Sequence, residues 1–276
     1  MKTTLTLGLA LAMTQTCWAD GSPWLAEPGN TQLIISQVQQ SADDIYKNRD
    51  SKTLQDVTGL TELVQDTTWL GVNYALDFDL ALDFKTGYAR NDEETGVTDS
   101  SIGLSWRLVD EFISYSNVPS TVLRAAVILQ GDYQTGSASA LGDGADGLEF
   151  SLIMGRFITP RLALSSEIGY RKRNSDVPDD AFYKLAGYVL ASSQLSLSLG
   201  YNHTNALEGI NIGDPGFSEG DVTNFHKLEE DVELVDLGIS YNLLPKLNLG
   251  FNAARVIAGK NTAQSDVYAL TMDYSL

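Results

Sequence analysis

The stretch VYALTMDYSL, residues 267–276, decides the fold. Every second residue from Tyr268 is apolar or aromatic: Tyr268, Leu270, Met272, Tyr274 and Leu276. Ala269, Thr271, Asp273 and Ser275 between them are small or polar. Period two over a whole segment marks a strand with one apolar and one polar face. The segment runs to the last residue given, so nothing after it is expected to cover the apolar face. In water such a face is an aggregation hazard. In a bilayer it needs no cover, because closing the sheet removes the edge and lipid solvates the apolar side.

The same alternation recurs upstream. Residues 247–257 turn Leu247, Leu249 and Phe251 outward after a tight turn at Pro245. Residues 232–243 set Val235, Leu237, Ile239 and Tyr241 against Asp236, Gly238 and Ser240. Residues 194–204 alternate most cleanly, with Leu195, Leu197, Leu199 and Tyr201 against Ser196, Ser198, Gly200 and Asn202. Residues 182–190 place Tyr183, Leu185 and Val189 outward and Lys184 inward. Residues 161–173 place Ile168 and Tyr170 outward and Glu167 and Arg171 inward. Further strands are expected at 146–157 with Glu149 inward, 121–130 with Arg124 inward, and 99–108 with Trp106 outward and Arg107 inward. Two more fall at 80–89, with Tyr88 outward and Asp83 and Lys85 inward, and at 67–76, with Tyr74 outward. The first strand, 31–40, is ambiguous: Leu33 and Ile35 fit one face, Ile34 and Val38 the other.

The count is about 12, an even number as in bacterial single-chain barrels. Connections alternate long and acidic (41–59, 90–96, 131–145, 174–180, 205–230) with short ones at 77–79, 159–160, 192–193 and Pro245. The connection 109–120 is the longest on the short side, with room for a helical turn. The expected fold is all-β: a transmembrane antiparallel up-and-down barrel with long extracellular loops and both termini periplasmic. In that topology Tyr74, Trp106, Tyr241 and Tyr274 fall at the periplasmic ends of outward faces, and Tyr88, Tyr170 and Tyr201 at the extracellular ends. Amphipathic rings favour the headgroup level, so two aromatic girdles follow. A soluble sandwich has no reason to sort outward aromatics to strand ends.

Residues 1–19 read as a secretory signal: Lys2, an apolar run from Leu5 to Met13, and Cys17-Trp18-Ala19 before the cleavage point. Residues 20–30 read as a periplasmic leader with Pro23 and Pro28, whose Trp24 and Leu25 are expected at the periplasmic mouth; residues 31–276 read as the barrel. Cys17 is the sole cysteine, so the exported chain needs no disulfide. No later run approaches the roughly 18 continuous apolar residues of a membrane helix. Export without a helical anchor points to the outer membrane of a Gram-negative cell. The formal charge of −18 argues against nucleic acid as a partner.

The final strand resembles that of bacterial outer-membrane barrels, whose last strand is read by the barrel-assembly machinery; Leu276 stands where that group usually has Phe. Residues 67–89, the loop LGDGADGLE at 141–149 with Gly155-Arg156 beyond it, and EIGYR at 167–171 are similar to a broad family of outer-membrane transporters. That family includes the barrel associated with the meta-pathway of phenol degradation. The resemblance implies a channel-like or uptake role and carries no catalytic motif.

The inward charges are Asp83, Lys85, Arg107, Arg124, Glu149, Glu167, Arg171, Lys184, Asp236 and Asp273. They suit a lumen that selects small solutes by opposed charges, or equally one closed by ion pairs. Inward glycines such as Gly103 and Gly200 leave room for solute or relieve strand curvature. The acidic loops offer oxygen ligands for divalent cations, or a solvated surface beside lipopolysaccharide. A lipid-modifying enzyme would need a histidine beside a serine, and only His203 and His226 are available. No outward serine neighbours His203 by parity. The favoured reading is a passive channel with no cofactor, metal or catalytic residue and outer-membrane lipid as its surroundings; a lipid-modifying enzyme and an adhesive closed barrel are the alternatives.

Overall fold

A computed structural model describes residues 21–114, 118–215, 217 and 224–276. The expected signal at 1–19 lies outside these residues, as do parts of the 109–120 and 205–230 connections. Twelve long strands run in chain order: β1 Thr31–Ala42, β2 Leu63–Ala75, β3 Leu80–Arg90, β4 Ser100–Val109, β5 Ser120–Leu129 and β6 Gly147–Thr159. They continue as β7 Leu162–Arg173, β8 Asp180–Leu190, β9 Leu195–Ala206, β10 Asp231–Leu244, β11 Leu247–Lys260 and β12 Asp266–Ser275. Each pairs antiparallel with its chain neighbours, and β1 pairs with both β2 and β12, which closes the barrel. A short strand, Thr95–Val97, adds only to the end of β3.

The closing register puts Leu33 opposite Tyr274 and Ile35 opposite Met272, all on the outward face. Ile34, Ser36 and Val38 therefore point inward, and Ser36 shares a hydroxyl hydrogen bond of 2.9 Å with Thr271. The two apolar faces of β1 have different solvents. The outward one meets the barrel's surroundings. Inside, Val38 joins Leu234, Ala254, Val256, Val267 and Ala269, with Trp69 and Tyr46 packed on them. On β12 the inside-out pattern is sharp: Leu270 is 63% exposed and Ala269 3%. A water-soluble barrel would reverse it; hydrocarbon is the solvent that suits it.

Several strands run past the limits set by alternation. β2 begins at Leu63, β9 reaches Ala206 and β11 reaches Lys260. At these ends the backbone ladder continues while the demand for an apolar outer face stops. The same end carries the long connections, and the expected plain loop at 41–59 is instead folded. Asp44–Lys47 pairs with Asp50–Thr53, and a short helix, Leu54–Thr58, follows. Thr53 caps it by accepting from Asp56 N, and Gly59 ends it in the left-handed conformation. Ile45, Leu54 and Val57 close a small apolar core with Ile212, Phe217 and Leu228 from the 207–230 connection. At the other end the turns are tight except for the connection at 110–119; in one, Asp77 Oδ1 accepts from Asp79 N at 2.7 Å and Leu80 N at 2.8 Å.

Candidate functional site

The inward faces of β3 to β8 carry a continuous ladder of charge. Arg124 on β5 donates to both oxygens of Asp83 on β3, at 2.9 and 2.8 Å, reaching across β4. Its third nitrogen meets Glu149 on β6 at 2.5 Å. The other Glu149 oxygen holds Arg171 at 2.6 Å, and Arg171 meets Asp180 at 3.3 Å. β4 can be crossed because Gly103 has no side chain: a Cβ there would strike the Asp83 carboxylate and lie 2.7 Å from Arg124 Nη2. Gly200 likewise lies beneath the Asp236 carboxylate. These glycines do not leave room for solute; neighbouring side chains lie flat over them. The Arg124 side chain is 1% exposed, so its charge is balanced by two carboxylates rather than by water.

The remaining inward charges are also engaged. Lys184 pairs with Glu167 at 3.1 Å and lies 5.0 Å from the centre of the Phe182 ring, which Arg171 also covers at 4.5 Å. Lys85 lies 4.6 Å from the Trp69 ring centre. Asp236 accepts from Asn202 at 3.1 Å, and Asp273 from Gln32 at 2.5 Å. Arg107 stands apart from the ladder. It is at the short-turn end, bound to Asp110 at 2.9 Å, Asp79 at 3.3 Å and the Phe78 carbonyl.

The leader was not legible as part of this site. Gly21 lies against Ile153 and Arg124, and Pro23 against Gly155. Trp24 Nε1 donates to Glu111 at 2.8 Å, and its ring lies 5.2 Å from Phe157 and 6.2 Å from Tyr188. All but Glu111 of these contacts are on inward positions of the wall, so the leader enters the barrel rather than resting at its mouth. A Gly-Ser-Pro-Trp tetrapeptide has no period to reveal this. Trp69 and Phe182 also face inward, and their parity with Gly71 and Lys184 was the available signal.

Outside, Tyr74, Trp106, Tyr241 and Tyr274 are exposed near the short-turn ends of their strands, while Tyr88 and Tyr170 are exposed toward the long-loop ends. Tyr201 is half-buried and donates to Glu233 at 2.8 Å. His203 Nε2 meets Asp231 at 2.6 Å, and its ring stands edge-on to Tyr183. His226 lies in the 3-10 turn Phe225–Lys227.

The acidic loops are tied down. Asp176 pairs with Lys227 at 2.8 Å and Glu229 with Lys260 at 2.8 Å. Asp231 also binds Arg49 at 2.7 Å. Asp179 accepts from Tyr170, Lys172 and the Arg173 amide at 2.6, 2.7 and 2.9 Å. Burial alone would raise its pKa, but these bonds outweigh it and lower it to about 2. Asp99 receives Gly131 N at 2.9 Å and Tyr133 Oη at 2.5 Å; burial raises its pKa despite both. Among the described residues no cluster of three or more His, Cys, Asp or Glu is arranged to hold a metal.

The fold matches solved barrels. An outer membrane channel from Pseudomonas putida F1 superposes with a TM-score of 0.71 at 15% identity, over 93% of this chain and 98% of that one. The KdgM porin gives 0.54 at 7% identity, over 88% and 99%. The NanC porin gives 0.55 at 7% identity, over 88% and 100%. At such identities the likeness is one of fold. No curated protein matches the chain by sequence. Residues 35–272 match the family model described as "Putative MetA-pathway of phenol degradation", and the chain belongs to that family.

Proposed function

We propose that the chain is an outer-membrane channel of a Gram-negative cell, passing small solutes by diffusion through a mixed-charge lumen. The observation that carries this reading is the inside-out barrel: large apolar or aromatic side chains outward on every strand, ion pairs within. The structural resemblance to channels and porins agrees with it. The first strand begins and the last strand ends at the end with short turns, which we assign to the periplasm, as in bacterial barrels generally. The long loops then face outward, tied by their own ion pairs and surrounded by lipopolysaccharide. Diffusion needs no energy coupling, and His203 is spent on Asp231 rather than on a nucleophile.

The leader narrows the lumen from the periplasmic side. Planar-bilayer recording of the purified protein tests the reading directly. Discrete conductance steps are expected, and deletion of residues 20–25 is expected to enlarge each step. Folded protein that passes no current, with or without the leader, defeats the proposal.

A further inference from the structure

A cavity lies in the lumen between the leader and the wall of β7 to β10, bounded by Pro23, Tyr188, Glu167, Lys184, Asn202 and Asp236. Glu167 is 5% exposed, and among the described residues its Oε1 meets no hydrogen-bond donor. Its other oxygen is held by Lys184 at 3.1 Å. Lys184 thus fixes the carboxylate of this cavity-lining residue while its other oxygen has no donor. Asp236, 4% exposed, is held over Gly200 and by Asn202 at 3.1 Å. Two carboxylates against one ammonium leave the lining at a formal charge of −1. Arg124 beside Gly21 does not alter this, because its charge is spent on Asp83 and Glu149. Pro23 and the Tyr188 ring add an apolar wall.

We propose that this cavity binds a small organic monocation, its ammonium received by Glu167 Oε1 and Asp236 and its carbon skeleton by Pro23 and Tyr188. A bound monocation neutralises the lining, whereas an anion would meet two buried carboxylates with only an already paired lysine to receive it. The proposal rests on the channel reading for its access route, but binding is measured without flux.

The probes are ethylammonium and propionate, titrated by saturation-transfer NMR into the full-length folded protein in detergent. Ethylammonium is expected to saturate and propionate to show no transfer. D236N keeps an oxygen for Asn202 and removes the charge; it should weaken ethylammonium by about tenfold or more, one charge-assisted hydrogen bond. E167Q should do the same. Should E167Q unfold because Lys184 loses its partner, D236N alone carries the test. D176N, in an outer loop, is the control and should bind as the parent does. Equal transfer to propionate, no saturation by ethylammonium, or unchanged affinity in D236N overturns the proposal. Binding intact in a protein that conducts no current would defeat the channel reading and leave this site standing.

Discussion

At the scale of single residues, the interior is organised by what is missing from the wall. Asp83 and Arg124 sit on strands separated by β4, and only an absent side chain at Gly103 lets them meet. Even one methyl group would push into the carboxylate and sit 2.7 Å from the guanidinium. G103A should therefore cost roughly 3 kcal/mol, the scale of a broken buried pair. Gly250 is the comparison: a Cβ there meets Thr271 Cβ at 3.6 Å, an ordinary contact. G250A should change stability by no more than roughly 0.5 kcal/mol. Urea unfolding from lipid vesicles measures both. Equal midpoints for the two variants would show that the ladder adapts and that Gly103 is not its cradle.

At the scale of elements, strands and the places of their turns were legible, and the folds of the long connections were not. Lipid imposes one rule on every outward position, so parity alone orders Leu195 to Tyr201 or Tyr268 to Tyr274. Inside, the rule says only that a side chain is inward. It turned Arg124, Glu149 and Arg171 inward but could not pair them, since pairing depends on register and on bare positions such as Gly103. It also counted Arg107 with them, although the strand's end carries that residue to the mouth. Connections follow no period at all, so the hairpin and helix at 44–58 and the entry of Trp24 into the barrel had no signal. The acidic loops looked like free carboxylates because their partners, Arg49, Lys172, Lys227 and Lys260, come from distant segments or the adjoining strand.

Asp179 shows what such a tie does. Its carboxyl pKa falls from the ordinary aspartate value of 3.8 to about 2 on folding. A lowered pKa contributes stability that is present above the unfolded value and is lost as pH falls through the folded one. The connection between β7 and β8 should stay closed at pH 4 and open only as pH approaches about 2. The Arg173 amide, bonded to Asp179 at 2.9 Å, reports it by NMR. Its resonance should titrate with a midpoint about 2 and should already be displaced at pH 7 in D179N. A midpoint near the ordinary carboxylate value would mean that the three bonds contribute little.

At the scale of the whole molecule, the fold exchanges the usual solvent of each surface. Leu199 on β9 is 56% exposed and pairs across the sheet with the equally outward Leu237. It lies between the girdle positions Tyr241 and Tyr201, and so near the middle of the apolar belt. In a water-soluble barrel, arginine in place of so exposed a leucine would be nearly neutral. In a bilayer the charge must be drawn to the headgroups or hydrated at depth, at about 2–4 kcal/mol near the midplane. The neighbouring Ser198 faces the other way, toward the lumen, and S198A changes no lipid contact. The two variants thus separate the two solvents one residue apart. L199R should lower the urea midpoint in lipid vesicles by an amount within that range, and S198A should leave it nearly where it was. Because the penalty belongs to hydrocarbon rather than to the fold, it should shrink when the vesicles are made of shorter-chain lipid, which brings water closer to Leu199. An L199R barrel as stable as its parent in both thicknesses would mean that this face does not meet lipid, and the barrel's membrane placement would have to be abandoned.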